Sequence, residues 1–151
     1  MKKSEISFNK KSKPVLSKTW AWIILVCLVV LDASLDLIFA GGKGLESPIW
    51  KPIANLLGLT NPLFLTPLVL LLFFIMVKIV AFIEEKIEKV SKAEELILTT
   101  LVLVYGVFNF WLILVYFLDF NLFKNQYYLI PVLIIIGIAY SWWAEKKLKD
   151  Y

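Results

Sequence analysis

Four long apolar runs, separated by short polar segments, dominate the chain. They cover about residues 20–40, 63–83, 95–118 and 127–143. Each run is close to the roughly 20 apolar residues that a helix needs to cross the hydrocarbon core of a bilayer. In lipid, backbone polar groups must be satisfied within the spanning structure, and a helix does this. The pattern therefore predicts an all-α protein whose four transmembrane helices form a bundle.

The first apolar run differs from the others because it contains two carboxylates, Asp32 and Asp36. The two residues are four apart, so on a helix they share one face. A charged side chain at the bilayer centre costs roughly 2.5–3.5 kcal/mol, so such residues indicate a functional site by default. The first run is expected to need polar partners, or proton uptake by an aspartate, in order to be stable in the membrane.

A polar stripe on the third run supplies candidate partners. Tyr105, Asn109, Tyr116 and Asp119 fall on one narrow face at the helical repeat. At about 1.5 Å per residue, Asn109 lies at nearly the same depth as Asp32. We predict that Asp32 is the centre of a polar core. Its carboxylate should lie within hydrogen-bond or one-water reach of Asn109 or Tyr105, while Asp36, nearer the outer surface, should matter less.

Lys78 is the only charged residue well inside the second apolar run. Two interpretations stay open for it. A long lysine stem can lie along apolar surface while its ammonium group reaches the cytoplasmic headgroups. Alternatively, Lys78 can reach toward Asp32 and form a buried ion pair, which would then be costly to break on one side.

The segment between the first two runs contains turn signals and one further acid. Residues 41–44 read Gly-Gly-Lys-Gly, which predicts the end of the first helix and a sharp turn. Gly58 is expected to stop a short helix that follows Pro48. Glu46 is a candidate loop contributor to the site, because two carboxylates on the first helix and a third in the loop could hold Mg²⁺ or Ca²⁺. The metal, if any, is not specified by the sequence.

The order of these features resembles an uncharacterised family of small archaeal and bacterial membrane proteins. That family has an Asp in the first helix, then glycine, then a Glu-x-Asn-Pro-like loop, and a Lys in the second helix. The corresponding features here are Asp32 or Asp36, residues 41–44, Glu46-Ser47-Pro48 and Lys78. The loop is one residue shorter than the family pattern and lacks its Asn. The resemblance covers about the first half of the chain and implies a shared arrangement without any assigned activity.

Two local patterns predict how the later helices begin and pack. Ser91-Lys92-Ala93-Glu94 has the form of a capping box, which would start the third long helix. Gly137 and Ser141 form a pair of small residues four apart, which permits close helix contact. This pair favours packing within the bundle over a dimer face.

The lysines predict the orientation in the membrane. Residues 1–19, 84–95 and 145–151 carry 12 lysines, whereas the two loops on the opposite side carry only Lys43, Lys51 and Lys124. Lysines concentrate on the cytoplasmic side of membrane proteins. We therefore expect a multi-pass protein of the cell membrane with residues 20–144 as its membrane domain. Residues 1–19 and 145–151 would be cytoplasmic tails.

Composition removes several classes of chemistry. The chain has one cysteine, Cys27, and no histidine, so it cannot form an internal disulfide or a Cys/His metal cluster. It contains no HExxH, GxSxG or phosphate-binding glycine loop, and no cofactor is expected. The net charge of +4 comes from lysines beside the membrane runs, so we expect the lipid bilayer as partner and no nucleic acid.

Three functional interpretations remain. The first is a small membrane protein that handles protons or cations at the polar core formed by Asp32, Asp36 and Asn109, with Tyr105 and Lys78 beside it. The second is a structural or assembly subunit, whose polar stripes face a protein partner or another copy of the chain. The third is a metal-dependent membrane enzyme, for which the sequence indicates no substrate.

Overall fold

The computed structural model describes residues 13–120 and 126–149. Four of its helices are long and apolar enough to cross a membrane. The predicted all-α four-helix bundle is confirmed, and the described residues contain no strand. The helices are α1 Lys18–Phe39, the short α2 Lys51–Leu57, α3 Thr66–Ile87, α4 Ala93–Leu118 and α5 Ile130–Lys149.

The helix boundaries follow from local chemistry at most positions. Helix α1 ends before Gly41 and Gly42, whose φ angles of 64° and 81° lie in the left-handed region that glycine adopts without steric cost. Gly58, with φ of 64°, ends α2 in the same way. Asn61 accepts a hydrogen bond from Leu63 N at 2.9 Å, which caps the 3-10 turn Pro62–Leu65 that leads into α3.

The start of α4 does not follow the capping-box prediction. Its N-cap residue is Lys92, which has φ of 66° and makes no side-chain cap. Glu94 instead forms ion pairs with two other helices, as described below. The Glu94 carboxylate therefore forms ion pairs with other helices instead of the predicted hydrogen bond to the N-terminus of its own helix.

Helix α4 is the centre of the bundle, because α1, α3 and α5 each pack against it. Ala21, Leu25, Val77 and Leu98 form a fully buried cluster that joins α1, α3 and α4. Gly137 of α5 packs so closely on α4 that an added Cβ would lie 3.1 Å from Val104 Cγ2. The pair of small residues thus serves contact within the bundle.

The segment before α1 is part of the fold. Leu16 N donates to Thr99 Oγ1 at 2.9 Å, and the Tyr140 hydroxyl donates to Pro14 O at 2.5 Å. Val15 packs on the cluster that contains Val90 and Leu148. The predicted polar tail, residues 1–19, thus includes a packed part, and residues 1–12 lie outside the described residues.

Two ends of the bundle can be distinguished. The lysine-rich end carries residues 13–17, residues 88–92 and the last turns of α5, which pack together. The loop end carries residues 40–61 and the 3-10 turn Gln126–Leu129, which pack near the end of α1 and α4. Between the two ends, large apolar side chains such as Ile38, Phe82 and Ile138 are more than half exposed, as expected of side chains that contact lipid.

Candidate functional site

Asp32 lies inside the bundle and faces α4. The Tyr105 hydroxyl donates a hydrogen bond of 2.5 Å to Asp32 Oδ2. Tyr105 is one of the two partners that the sequence indicated for this carboxylate. The bond joins two helices at mid-span, where a hydrogen bond donated to a carboxylate is short and stronger than one between neutral groups.

Asn109, the other expected partner, supports Tyr105 instead. Its side chain is only 1% exposed, and its Nδ2 donates to Tyr105 O at 3.0 Å. Asn109 Oδ1 has no hydrogen-bond partner among the described residues. The amide therefore belongs to the same polar region of α4 as Tyr105, but its hydrogen bond stays within its own helix.

Asp36 holds the first loop against the end of α1. Gly44 N lies 3.0 and 3.1 Å from the two carboxylate oxygens of Asp36. An added Cβ at Gly44 would lie 2.7 Å from Asp36 Oδ2, so only glycine permits this approach without a shift of the carboxylate. Asp36 therefore positions the 3-10 turn Lys43–Glu46. The sequence placed Asp36 near the outer surface and did not identify this contact.

A cavity of about 340 Å³ lies between α1, α3, α4 and the loop end. Asp32 and Asp36 both line it, and neither forms an ion pair with a lysine among the described residues. The rest of the lining is largely apolar and aromatic. The aromatic lining residues are Trp50, Phe73, Tyr105, Phe108, Tyr116 and Tyr127.

Thr66 is a further polar residue of the cavity, and the sequence pattern gave no indication of it. It opens α3, lines the cavity and is 9% exposed. Its Oγ1 has no hydrogen-bond partner within the described part of the chain. A buried hydroxyl without a partner is costly, because it has given up its bonds to water. Because this hydroxyl lies on the cavity wall, it is available to form a hydrogen bond with a molecule that occupies the cavity.

Lys78 points away from this site. Its Nζ lies 2.8 Å from Glu94 Oε1, and Lys18 Nζ lies 2.8 Å from Glu94 Oε2. The Glu94 side chain is 14% exposed, whereas the two lysines are about half exposed. The Lys78 side chain thus points toward the lysine-rich end, as expected of a lysine that reaches for the headgroups. The alternative ion pair with Asp32 is not formed. The sequence did not predict these interhelical ion pairs of Glu94, because the local pattern around Glu94 indicated a helix cap.

Glu46 lies in the turn that Asp36 positions, is exposed, and is not among the residues that line the cavity. Within residues 13–120 and 126–149, no group of three or more His, Cys, Asp or Glu side chains could hold a metal ion. The three-carboxylate arrangement that the sequence allowed for Mg²⁺ or Ca²⁺ is not assembled in this part of the chain.

Four spanning helices around a cavity that contains two carboxylates define a small multi-pass membrane protein. In comparisons with known proteins, no family model, no curated protein and no solved structure matches this chain.

Proposed function

We propose that this protein binds a proton or a cation at Asp32 and moves it across the membrane. The observation that carries this proposal is the Asp32 carboxylate at mid-span, held by the Tyr105 hydroxyl at 2.5 Å on the wall of a cavity of about 340 Å³. No lysine of the described residues pairs with Asp32 or Asp36. A cation that enters the cavity would therefore not have to displace a lysine from either carboxylate.

The cavity suggests different roles for the two aspartates. Asp32 is the binding group, and Asp36, which already accepts hydrogen bonds from Gly44 N, is the acid closer to the loop end. A cation that comes from the loop end would meet Asp36 first and Asp32 deeper in the membrane. We also propose that the chain shares the arrangement of these acids with the uncharacterised family of small membrane proteins that it resembles.

Liposomes that contain the purified chain alone test this function. With an imposed membrane potential, the wild-type protein is expected to carry protons or sodium ions inward, followed by a dye in the lumen. Asp32→Asn is expected to reduce the rate to that of liposomes without protein, because the amide keeps the shape and loses the charge. Asp36→Asn should reduce the rate only in part.

Glu85→Gln is the matched control for these variants. It removes one carboxylate from the exposed surface of α3 near the lysine-rich end, and Glu85 is not among the residues that line the cavity. Its flux should equal that of the wild-type protein. Wild-type liposomes that carry neither ion faster than empty ones would contradict the proposal.

We also propose that the lysine-rich end faces the cytoplasm of the cell, because that end carries most of the lysines. In a Cys27→Ala background, a cysteine at Glu46 should react with an impermeant thiol reagent in intact cells. A cysteine at Glu85 should react only after the membrane is permeabilised. Both positions are exposed in the structure, so a difference in labelling would reflect the side of the membrane and not burial in the protein. Labelling at 85 and protection at 46 would reverse the orientation.

A second candidate function, an assembly subunit, is favoured by one observation. A groove of about 530 Å³ runs between α3, α4 and α5, and Val80, Ile134 and Gly137 are among the residues that line it. Glu84 also lines this groove, and its Oε2 is buried without a hydrogen-bond partner in the described residues. A partner helix with a hydrogen-bond donor would fit there. This candidate takes the place of transport if the purified chain carries no ion.

A further inference from the structure

We infer that the cavity beside Asp32 binds a protonated organic amine, in which an ammonium group is attached to an apolar or aromatic body. The inference rests on the proposed function in one respect, since it takes Asp32 as the cation-binding group. It adds the chemical class of the cation.

The volume and the largely apolar walls of the cavity favour an organic cation over Ca²⁺ or Mg²⁺. Its volume of about 340 Å³ lies at the lower end of the range for small-molecule sites, roughly 300–1,000 Å³. Calcium takes about six to eight oxygen ligands, and magnesium takes about six. The walls supply two carboxylates, and no group of three acidic side chains is close enough to hold a metal in the described residues.

The charge of the cavity selects a cation. Asp32 and Asp36 both line it without a lysine partner among the described residues. Asp36 is engaged with Gly44 N through both oxygens. The hydrogen bond from Tyr105 goes to Oδ2 of Asp32. Asp32 is therefore the carboxylate that would accept a hydrogen bond from an ammonium group.

The aromatic walls suit the body of such a ligand. The rings of Phe73 and Phe108 both pack against Tyr105, with centroids 5.7 and 5.9 Å from the tyrosine ring. All three residues line the cavity, and Trp50 lines it from the loop end. Aromatic faces attract ammonium groups and also pack against apolar groups. A hydrated inorganic ion would gain little from these walls.

Thr66 provides the independent indication of a ligand. Its hydroxyl is buried on the cavity wall and has no hydrogen-bond partner within residues 13–120 and 126–149. A hydroxyl can accept a hydrogen bond from an ammonium N–H or donate one to a polar atom on the body of the ligand. An occupant with more than one polar contact would remove the cost of leaving this group unpaired.

The test uses 2-phenylethylammonium, its neutral isostere 2-phenylethanol, sodium ions and magnesium ions. Each is titrated calorimetrically into the full chain purified in an uncharged detergent. We expect saturable binding of the amine at one site per chain, with no saturable binding of the alcohol and no competition by magnesium ions. Saturable binding of either inorganic ion without binding of the amine would overturn the inference.

Three variants locate the site. Asp32→Asn should weaken amine binding at least about tenfold, and Thr66→Val should weaken it about threefold. Glu85→Gln should leave it unchanged. Thr66→Val changes no charge and keeps the side-chain shape, so it remains informative if Asp32→Asn does not fold. An affinity unaffected by Thr66→Val, or by a folded Asp32→Asn protein, would overturn the proposed site.

Failure of this inference can be distinguished from failure of the proposed function. Amine binding that depends on Asp32, without any ion flux in liposomes, would support the ligand class and contradict transport. Asp32-dependent proton flux without amine binding would contradict the ligand class and leave transport standing.

Discussion

Glu94→Gln is expected to lower the free energy of unfolding by roughly 1–3 kcal/mol, a value between those of exposed and buried ion pairs. Glu94 pairs with Lys18 of α1 and Lys78 of α3, each at 2.8 Å. The carboxylate is largely buried, whereas both lysines are half exposed. One side chain therefore ties two helices to α4, and the neutral amide would lose the charge in both ion pairs at once.

The measurement is thermal or denaturant unfolding in detergent, and Glu95→Gln is the control. Glu95 occupies the next position in the first turn of α4, so it has the same favourable interaction with the helix N-terminus. Its ion pair, with Lys92 at 3.8 Å, is local. The difference in unfolding free energy between the two variants isolates the tertiary contacts of Glu94. Equal stability of the two would show that the ion pairs with Lys18 and Lys78 contribute nothing.

Tyr105→Phe is expected to weaken amine binding and ion flux about tenfold while it changes stability little. The hydroxyl holds Asp32 Oδ2 at 2.5 Å, and without it the carboxylate loses its fixed position on the cavity wall; a tenfold loss of affinity corresponds to about 1.4 kcal/mol. The phenylalanine ring would keep the contacts with Phe73 and Phe108, so the cavity keeps its shape. Hydrogen bonds between membrane helices average only about 0.6 kcal/mol of stability.

Calorimetric titration of 2-phenylethylammonium and the liposome assay measure the functional effect, and thermal unfolding measures the structural one. Tyr128→Phe is the control, because Tyr128 also lies at the loop end and is 66% exposed. A large loss of stability without loss of affinity in Tyr105→Phe would mean that the hydroxyl serves packing of α1 on α4 and not the ligand.

The sequence predicted those parts of the polar core that depend on helical periodicity. Asp32 and the stripe that contains Tyr105 and Asn109 lie on helices of opposite direction, and the helical repeat with the rise per residue was enough to make both residues of the stripe candidate partners of Asp32. The structure joins Asp32 to Tyr105 by a hydrogen bond. Asn109 has the same spacing, yet its amide bonds to its own helix. Periodicity gives the face and depth of a side chain but does not decide among several partners within reach.

The remaining parts of the site depend on how the loop end folds against the helices. Asp36 binds Gly44 because the turn after α1 folds back on the helix end. Thr66 is buried on the cavity wall only because α3 lies against the loop end. The local sequence around Asp36 predicts only that it lies on one face of a helix, and the local sequence around Thr66 predicts only that it is near a helix start. Neither pattern predicts the tertiary contact.

By itself, the sequence determined the all-α class, the four spanning segments and the presence of acids inside the first of them, because a bilayer imposes length and apolarity on each segment separately. Only the tertiary structure decided that α4 is the central helix, that Glu94 pairs with Lys18 and Lys78, and that a cavity forms beside Asp32. These features depend on the rotation and depth of one helix relative to another. Side-chain packing and hydrogen bonds between helices set both quantities, and no single segment encodes them.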